Sequence, residues 1–166
     1  MHTLHRILVY LPDVGETPSK DDIRSYAEDM TRDYSGSCFD YRIIKNAGIW
    51  SSQYPDNVVL SKDNLSFFMG ELRFAQRKQS MTISRYVKAV ESLAKSKDLS
   101  LIIQSKVACQ CGSYLQMIGN AIMGKYTPDT AFFNICEGTA LIDNETFSNI
   151  ELKPDSWALC YFDCHT

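Results

Sequence analysis

The longest stretch without glycine or proline covers residues 71–111, and it most constrains what this chain can fold into. Apolar residues recur along its first part, continued back to Asp63, at the spacing of one helix face: Leu65, Phe68, Leu72, Ala75, Ile83, Tyr86, Val90 and Leu93. Polar Gln79 interrupts the stripe. Helices above about 30 residues are rare in a domain of this size. We therefore expect two helices with a bend near the sequence QSMT, where Ser80 or Thr82 would cap the second.

Shorter patterns before this stretch predict strands around one helix. The apolar run RILVYL at residues 6–11 is typical of a buried strand. A helix begins at Ser19, because serine is a preferred N-cap and Asp21 and Asp22 complement the dipole in the first turn. It should end before Gly36. Two strands are then expected at residues 38–44 (CFDYRII) and 57–60 (NVVL).

Patterns after the long stretch complete the expected order. Residues 99–105 predict a buried strand, and residues 107–124 predict a helix that ends at Gly124. Four more strands are expected at residues 131–136, 139–143, 148–152 and 157–164. This order indicates an α+β fold, in which a mixed β-sheet carries about three to four helices and the C-terminus is rich in strands.

Composition indicates one domain. The 166 residues are 45% hydrophobic and 22% charged, without repeats or a linker, so residues 1–166 are expected to form a single globular domain. A membrane span needs about 20 apolar residues, and the N-terminal apolar run at residues 7–11 is too short even for a signal peptide. We therefore expect a cytoplasmic protein with no membrane partner and with reduced thiols.

Charge is unevenly distributed, although the formal net charge is only −3. Residues 62–97 carry eight bases against three acids, whereas residues 12–40 and 98–166 each carry eight acids against three bases. The basic segment is either a solvated face that attracts the acidic segments within the fold or a patch that binds a partner.

Two close pairs of cysteines raise the question of a metal site. Cys109 and Cys111 would point about 200° apart on a helix. Cys160 and Cys164 share one face of a strand, but they would lie roughly 13 Å apart, whereas zinc-bound thiolates lie about 4 Å apart. Neither pair can chelate an ion within regular structure. We therefore expect no metal, no cofactor and buried sulfur at all six cysteines.

Motifs of catalysis are absent from the sequence as well. It contains no phosphate-binding glycine loop, no zinc-protease motif and no nucleophile elbow. Cys109 is the best candidate for a reactive thiol, because it lies near an expected helix start with Lys106 nearby. The histidines, His2, His5 and His165, all lie near chain ends that are expected to fray, which argues against a histidine base. An enzyme with a thiol or dispersed carboxylate site remains an alternative.

The long helical stretch has a second side, opposite its apolar stripe. Phe67, Phe74 and Met81 recur every seven residues and therefore lie within about 40° of one another. Four bases flank them: Arg77, Lys78, Arg85 and Lys88. We call these seven residues the basic-aromatic face.

This face has two interpretations. Aromatic rings beside cations would suit an acidic protein or a nucleic acid. Alternatively, the helix packs on two sides, against the sheet and against another helix or a second subunit of a homodimer, and its arginines pair with Asp29 or Asp33.

Trp50 and Tyr54 lie in a short connection between two expected strands, next to Gly48 and Pro55. A tryptophan in such a loop either fills the core or faces a partner. We expect Trp50 and Tyr54 to belong to the partner-binding site, together with the basic-aromatic face.

Three classes of function follow. The leading prediction is a small, non-enzymatic cytosolic module that binds another protein, which would include inhibitors of nucleic-acid-processing enzymes of the phage or mobile-element type. The first alternative is direct nucleic-acid binding through the basic-aromatic face, against which the pI near 5.6 counts. The second alternative is the enzyme described above.

Overall fold

The computed structural model describes residues 2–38, 42–44, 47–95, 130–138 and 141–165. Their order begins with strand β1 (His2–Tyr10), a short helix α1 (Leu11–Val14), helix α2 (Lys20–Cys38), strand β2 (Arg42–Ile44) and a 3-10 turn (Gly48–Trp50). Strand β3 (Val58–Leu60), helix α3 (Leu65–Lys95), strand β4 (Thr130–Asn134), helix α4 (Asn144–Leu152) and strand β5 (Trp157–His165) complete it.

The strands form one mixed sheet, in which the two ends of the chain lie at the centre. β1 and β5 pair antiparallel along their whole lengths, and β4 pairs parallel with the outer edge of β1. On the other edge of β5, β3 and β2 pair antiparallel with successive parts of that strand. The order across the sheet is therefore β2 or β3, then β5, β1 and β4. The predicted α+β class with a mixed sheet is confirmed.

Alternation along β1 and β5 separates two cores. Leu4 and Leu8 face α3 and α4, whereas Ile7 and Val9 face α2. Because strand side chains alternate between faces, nine consecutive residues can bury two apolar surfaces. Each fully buried aliphatic side chain contributes about 1.5–3 kcal/mol relative to an exposed one. The expected buried strand is confirmed, and it begins four residues earlier than the apolar run suggested.

α3 is one continuous helix of 31 residues, so the expected bend near QSMT is wrong. Thr82, which could have capped a second helix, instead donates its hydroxyl to the Lys78 carbonyl at 2.9 Å, within the helix. Phe68, Leu72 and Ala75 are buried against the sheet, as the apolar stripe predicted. The stripe defines one face of a helix, but it does not define where the helix ends.

The expected strand at residues 139–143 is wrong for residues 141–143, which form no regular element. Both backbone groups of Ile142 bind glutamines of α3 instead of a strand. Gln76 Nε2 donates to the Ile142 carbonyl at 2.9 Å, and the Ile142 N–H donates to Gln79 Oε1 at 3.4 Å. Buried Gln79, the polar interruption of the stripe, thus satisfies a backbone group that would otherwise be buried alone.

Residues 148–152 were expected to form a strand, but they belong to α4. Asp143 is its N-cap, and its carboxylate accepts a hydrogen bond from the Thr146 N–H at 2.9 Å. Ile150 is buried, and half-buried Phe147 precedes it by three residues, which is a helical spacing. Asp143 in the sequence DNET was the missed signal for this helix.

Several further boundaries differ from expectation. α2 continues through Gly36 to Cys38, so Cys38 ends a helix rather than beginning a strand. The strands at residues 57–60, 131–136 and 157–164 are found as β3, β4 and β5, with boundaries shifted by one or two residues. The strand expected at 99–105 and the helix expected at 107–124 lie outside the described residues. That residues 1–166 form a single domain stays a prediction.

Candidate functional site

The basic-aromatic face of α3 is largely exposed. Phe67, Phe74 and Met81 expose 41%, 45% and 63% of their surface. Arg77, Arg85 and Lys88 are exposed, and Lys78 is half-buried. Two other bases of α3, Arg73 and Lys95, are also exposed on the solvent side. No described residue covers this side of α3, and its packing against a second subunit stays a prediction.

The exposed bases of α3 form no ion pair with a described residue. The described ion pairs join Arg6 to Glu71, Lys20 to Asp56, two arginines of α2 to acids of α2, and His2 to Asp163. Asp29 cannot form an ion pair with the bases of α3, because α2 and α3 pack on opposite faces of the sheet. The side chain of Asp33 lies outside the described residues. Five exposed cations therefore face solvent, with Glu91 as the exposed acid of the same helix.

The loop with Trp50 and Tyr54 packs beside the N-terminal half of α3. Tyr54 is buried and stacks on Tyr161 of β5, with ring centroids 4.1 Å apart. Its hydroxyl donates to Glu71 Oε2 at 3.0 Å and accepts from Arg6 Nη2 at 3.1 Å and from Gln53 Nε2 at 3.2 Å. One phenol thus links the loop, the central strand and α3.

Arg6 is the buried cation of this cluster, and the sequence analysis missed it. It points from β1 toward α3, where Nε donates to Glu71 Oε2 at 3.0 Å. Its Cζ lies 5.2 Å from the centroid of the Phe74 ring, within the range of a cation–π contact. Removing one partner of a buried ion pair typically costs about 3–5 kcal/mol. The signal for this cluster in the sequence was an arginine within the apolar run of a predicted buried strand, because a buried charge requires a buried acid as its partner.

Burial keeps the two stacked phenols protonated. It raises the pKa of Tyr54; the Arg6 charge opposes that rise and Glu71 adds to it. Burial also raises the pKa of Tyr161 above the usual range, with Glu71 adding to the effect. The Tyr161 hydroxyl is buried and forms no hydrogen bond with a described residue. Tyr54 therefore acts as a hydrogen-bonding and packing group, and Tyr161 as a packing group, rather than as bases.

A cleft of about 240 Å³ opens between the loop and α3. Trp50, Gln53, Tyr54, Glu71 and Phe74 line it, above Leu4 and Arg6. Trp50 is half-buried and packs against the core, so it both supports the loop and borders the cleft. The structure thus brings together Trp50, Tyr54 and Phe74 of the predicted site. Arg85 and Lys88 lie roughly 17–21 Å farther along α3, at 1.5 Å per residue.

A second polar cluster anchors the same loop. The carboxylate of Asp163, which is fully buried in β5, accepts from His2 Nδ1 at 2.9 Å and from the Ile49 N–H at 3.2 Å. Gly48 packs directly on this carboxylate. His2 and His5 both lie in the central strand β1, so the expectation that the terminal histidines fray is wrong for them. Burial lowers the pKa of His5 to about 4, against the opposing charge of Asp163.

The described thiols are poor nucleophiles. Cys160 and Cys164 are buried, as predicted, and burial raises the pKa of both, that of Cys164 to about 12. Cys136 is exposed, which contradicts its expected burial, yet partial desolvation and the charge of Asp13 raise its pKa as well. Cys109 and Cys111 lie outside the described residues. Across the described ranges, no group of three histidines, cysteines or acids is placed to hold a metal ion. That the protein binds no metal and no cofactor stays a prediction.

No family model, curated protein or solved structure matches this chain. None of the helices in the described part of the chain combines the length and the apolarity that crossing a membrane requires. The exposures and the cleft described above place the candidate site on the exposed face of α3, with the cleft at its N-terminal half.

Proposed function

We propose that this protein is a small, non-enzymatic cytosolic module that binds an acidic protein partner through the basic-aromatic face of α3. The supporting observation is that this face exposes phenylalanines, a methionine and arginines side by side, without internal ion pairs among the described residues. Aromatic residues, methionine and arginine are the types enriched at protein interfaces.

The charge of the rest of the chain favours a protein over a nucleic acid. The chain has a pI near 5.6 and a net charge of −3, whereas dedicated nucleic-acid-binding domains are usually basic. An acidic protein surface would be attracted to α3 without the strongly basic surroundings that a polyphosphate backbone requires. The narrower prediction of an inhibitor of a nucleic-acid-processing enzyme stays a prediction.

The state of the titratable groups supports a non-enzymatic role. The described thiols have raised pKa values, and the two stacked tyrosines are held protonated. His5 is neutral but buried. None of these groups combines exposure with the pKa shift that a nucleophile or a general base requires. The reduced, buried thiols of Cys160 and Cys164 are in keeping with a cytosolic location.

Charge reversal on α3 tests the proposal. Arg77 and Arg85 are exposed. The free energy of unfolding of the double variant Arg77→Glu/Arg85→Glu should therefore lie within about 1 kcal/mol of the wild-type value. Proteins retained by the immobilised wild type from a nuclease-treated bacterial lysate are identified, and the retained protein is purified and titrated at several salt concentrations. We expect the double variant to bind at least about tenfold more weakly, with a shallower salt dependence, because fewer opposite charges meet.

Lys20→Glu/Lys62→Glu is the matched control, because it makes the same change in net charge at exposed lysines outside α3. This control should bind the partner nearly as well as the wild type. Equal binding by both double variants would show that α3 is not the interface. Retention that disappears with nuclease would instead support the nucleic-acid alternative.

A further inference from the structure

The cleft beside Phe74 offers the acidic partner a defined point of attachment. The inference below rests on the proposed function and extends it to this cleft. It lies where the loop of residues 47–54 meets the basic-aromatic face. Binding energy at protein interfaces concentrates in a few anchor side chains that fill such pockets.

The size of the cleft limits what can enter. Its volume of about 240 Å³ is below the roughly 300–1,000 Å³ of pockets that hold whole small-molecule ligands. One ring-sized side chain of a larger partner fits this volume better than a cofactor or a metabolite does. The rings of Trp50 and Phe74 provide apolar walls for it.

One carboxylate oxygen of the cleft accepts no hydrogen bond from a described residue. Arg6 Nε and the Tyr54 hydroxyl both donate to Glu71 Oε2, and no described residue donates to Glu71 Oε1. Glu71 lines the cleft with its side chain 13% exposed. An incoming side chain that covers Oε1 must therefore donate a hydrogen bond, since a carboxylate oxygen covered without a donor is unfavourable.

The neighbouring charges decide which donor is suitable. Arg6 already supplies the cation that Glu71 requires, and Lys78 Nζ lies 5.6 Å from the centroid of the Phe74 ring at the rim. A lysine or an arginine from the partner would meet these like charges. A neutral aromatic donor avoids that repulsion, and acids beside it in the partner would be attracted to Arg77 and Lys78.

We propose that the cleft binds one tyrosine side chain of the acidic partner. The tyrosine ring packs between Trp50 and Phe74, and its hydroxyl donates to Glu71 Oε1. Acidic residues flanking that tyrosine lie over the adjoining bases of α3.

Binding of a short synthetic peptide tests this assignment. The peptide is made of aspartate, glutamate and serine around one tyrosine, and it is compared with versions in which phenylalanine or serine replaces the tyrosine. The fluorescence anisotropy of the labelled peptides should show that the tyrosine peptide binds about tenfold more tightly than the phenylalanine peptide, because only tyrosine donates to the carboxylate. The serine peptide should bind most weakly.

The position of the peptide is read from the two tryptophans of the chain. In a ¹H–¹⁵N spectrum, the indole N–H signal of Trp50 should shift as the tyrosine peptide is added. The signal of buried Trp157 should stay unchanged. Phe74→Ala should weaken peptide binding by about tenfold. Ile49→Ala is the matched control, because Ile49 is 63% exposed beside Trp50 and does not line the cleft, so this variant should bind as the wild type does.

Equal affinity for the tyrosine and phenylalanine peptides, undetectable binding of all three, or an unshifted Trp50 signal would each overturn the assignment. A single-stranded oligonucleotide that shifts the Trp50 signal where the tyrosine peptide does not would replace it with a nucleobase. These outcomes are separable from the proposed function. If Arg77→Glu/Arg85→Glu loses the partner while the peptides fail, α3 remains the interface and only the tyrosine assignment falls.

Discussion

Replacement of Gly48 by alanine should be one of the most destabilising small changes in this protein. Gly48 has φ +51°, in the left-handed region that glycine adopts readily. A Cβ at this position would lie 2.5 Å from Cβ and 2.6 Å from Cγ of Asp163, and it would overlap Oδ2. Asp163 is fully buried and bonded to His2 and to the Ile49 N–H, so it has no room to withdraw.

Two costs add in this variant. A left-handed conformation costs a non-glycine residue about 1–2 kcal/mol. Overpacking a filled site costs about 1–3 kcal/mol more. We therefore expect Gly48→Ala to lower the free energy of unfolding by about 3 kcal/mol, a large part of the roughly 5–15 kcal/mol of a typical domain. The melting temperature should fall by about 10 °C.

Two other glycines separate these costs. Gly138 has φ +61°, but nothing lies within 4 Å of an added Cβ, so Gly138→Ala should lose only about 1 kcal/mol from backbone strain. Gly70 lies in α3 with the same open surroundings, and Gly70→Ala should stabilise the fold by about 0.5–1 kcal/mol.

Urea unfolding of the three variants, followed by circular dichroism, measures the differences directly. The expected order of stability is Gly70→Ala, wild type, Gly138→Ala, Gly48→Ala. A Gly48→Ala variant no less stable than Gly138→Ala would refute the close packing of Gly48 on Asp163. The attachment of the 47–54 loop to the sheet would then need another explanation.

Two further predictions concern buried polar groups. Tyr54→Phe removes a hydroxyl bonded to Arg6 and Glu71 and should destabilise the fold by about 2 kcal/mol in urea unfolding. Tyr161→Phe removes a buried hydroxyl without a described partner and should leave stability unchanged or raise it by up to about 1 kcal/mol. Equal losses in the two variants would contradict this hydrogen-bond assignment. The pKa of His5 falls from 6.5 to about 4 on folding. The stability that neutral, buried His5 contributes is therefore fully present above about pH 6.5. It is lost as the pH falls toward 4, by up to about 3 kcal/mol. Unfolding free energies at pH 7 and pH 4 should show a smaller difference for His5→Gln than for the wild type, and a histidine NMR titration of folded His5 near pH 6.5 would contradict its burial.

Local periodicity in the sequence was enough to predict several elements of the fold. The apolar run of β1, the alternation of β5 and the capped start of α2 each depend on neighbouring residues alone. The same holds for the two sides of α3, because spacings of three, four and seven residues define helix faces without knowledge of what covers them. This is why Phe67, Phe74 and the exposed arginines could be selected as site candidates from the sequence.

One of the failed expectations depends on contacts between residues far apart in the chain. Residues 141–143 looked like a strand, but the backbone groups of Ile142 bind Gln76 and Gln79 of α3, more than 60 positions earlier. α3 continues as one helix through residues 79–82, where a bend between two helices was expected, and the Thr82 hydroxyl bonds to the Lys78 carbonyl within it. At residues 141–143, hydrogen bonds to distant side chains therefore outweighed the local preference for a strand.

Tertiary structure also decided the chemistry of the candidate site. In the sequence, Arg6, Tyr54, Glu71 and Tyr161 are separated by 17 to 155 positions, and no spacing rule connects them. The central strands of the sheet, β1 and β5, come from the two ends of the chain, and their pairing brings Arg6 opposite Tyr161. α3 then places Glu71 over both residues. His5 lies near one end of the chain, which suggested a frayed position, but the pairing of β1 with β5 buries it. Sequence by itself determined which faces were apolar, basic or aromatic. The burial of a charged arginine, and hence the cleft above it, required the pairing of distant strands. The reason is that a buried charge is stable only where a distant acid and its hydrogen-bond donors meet it.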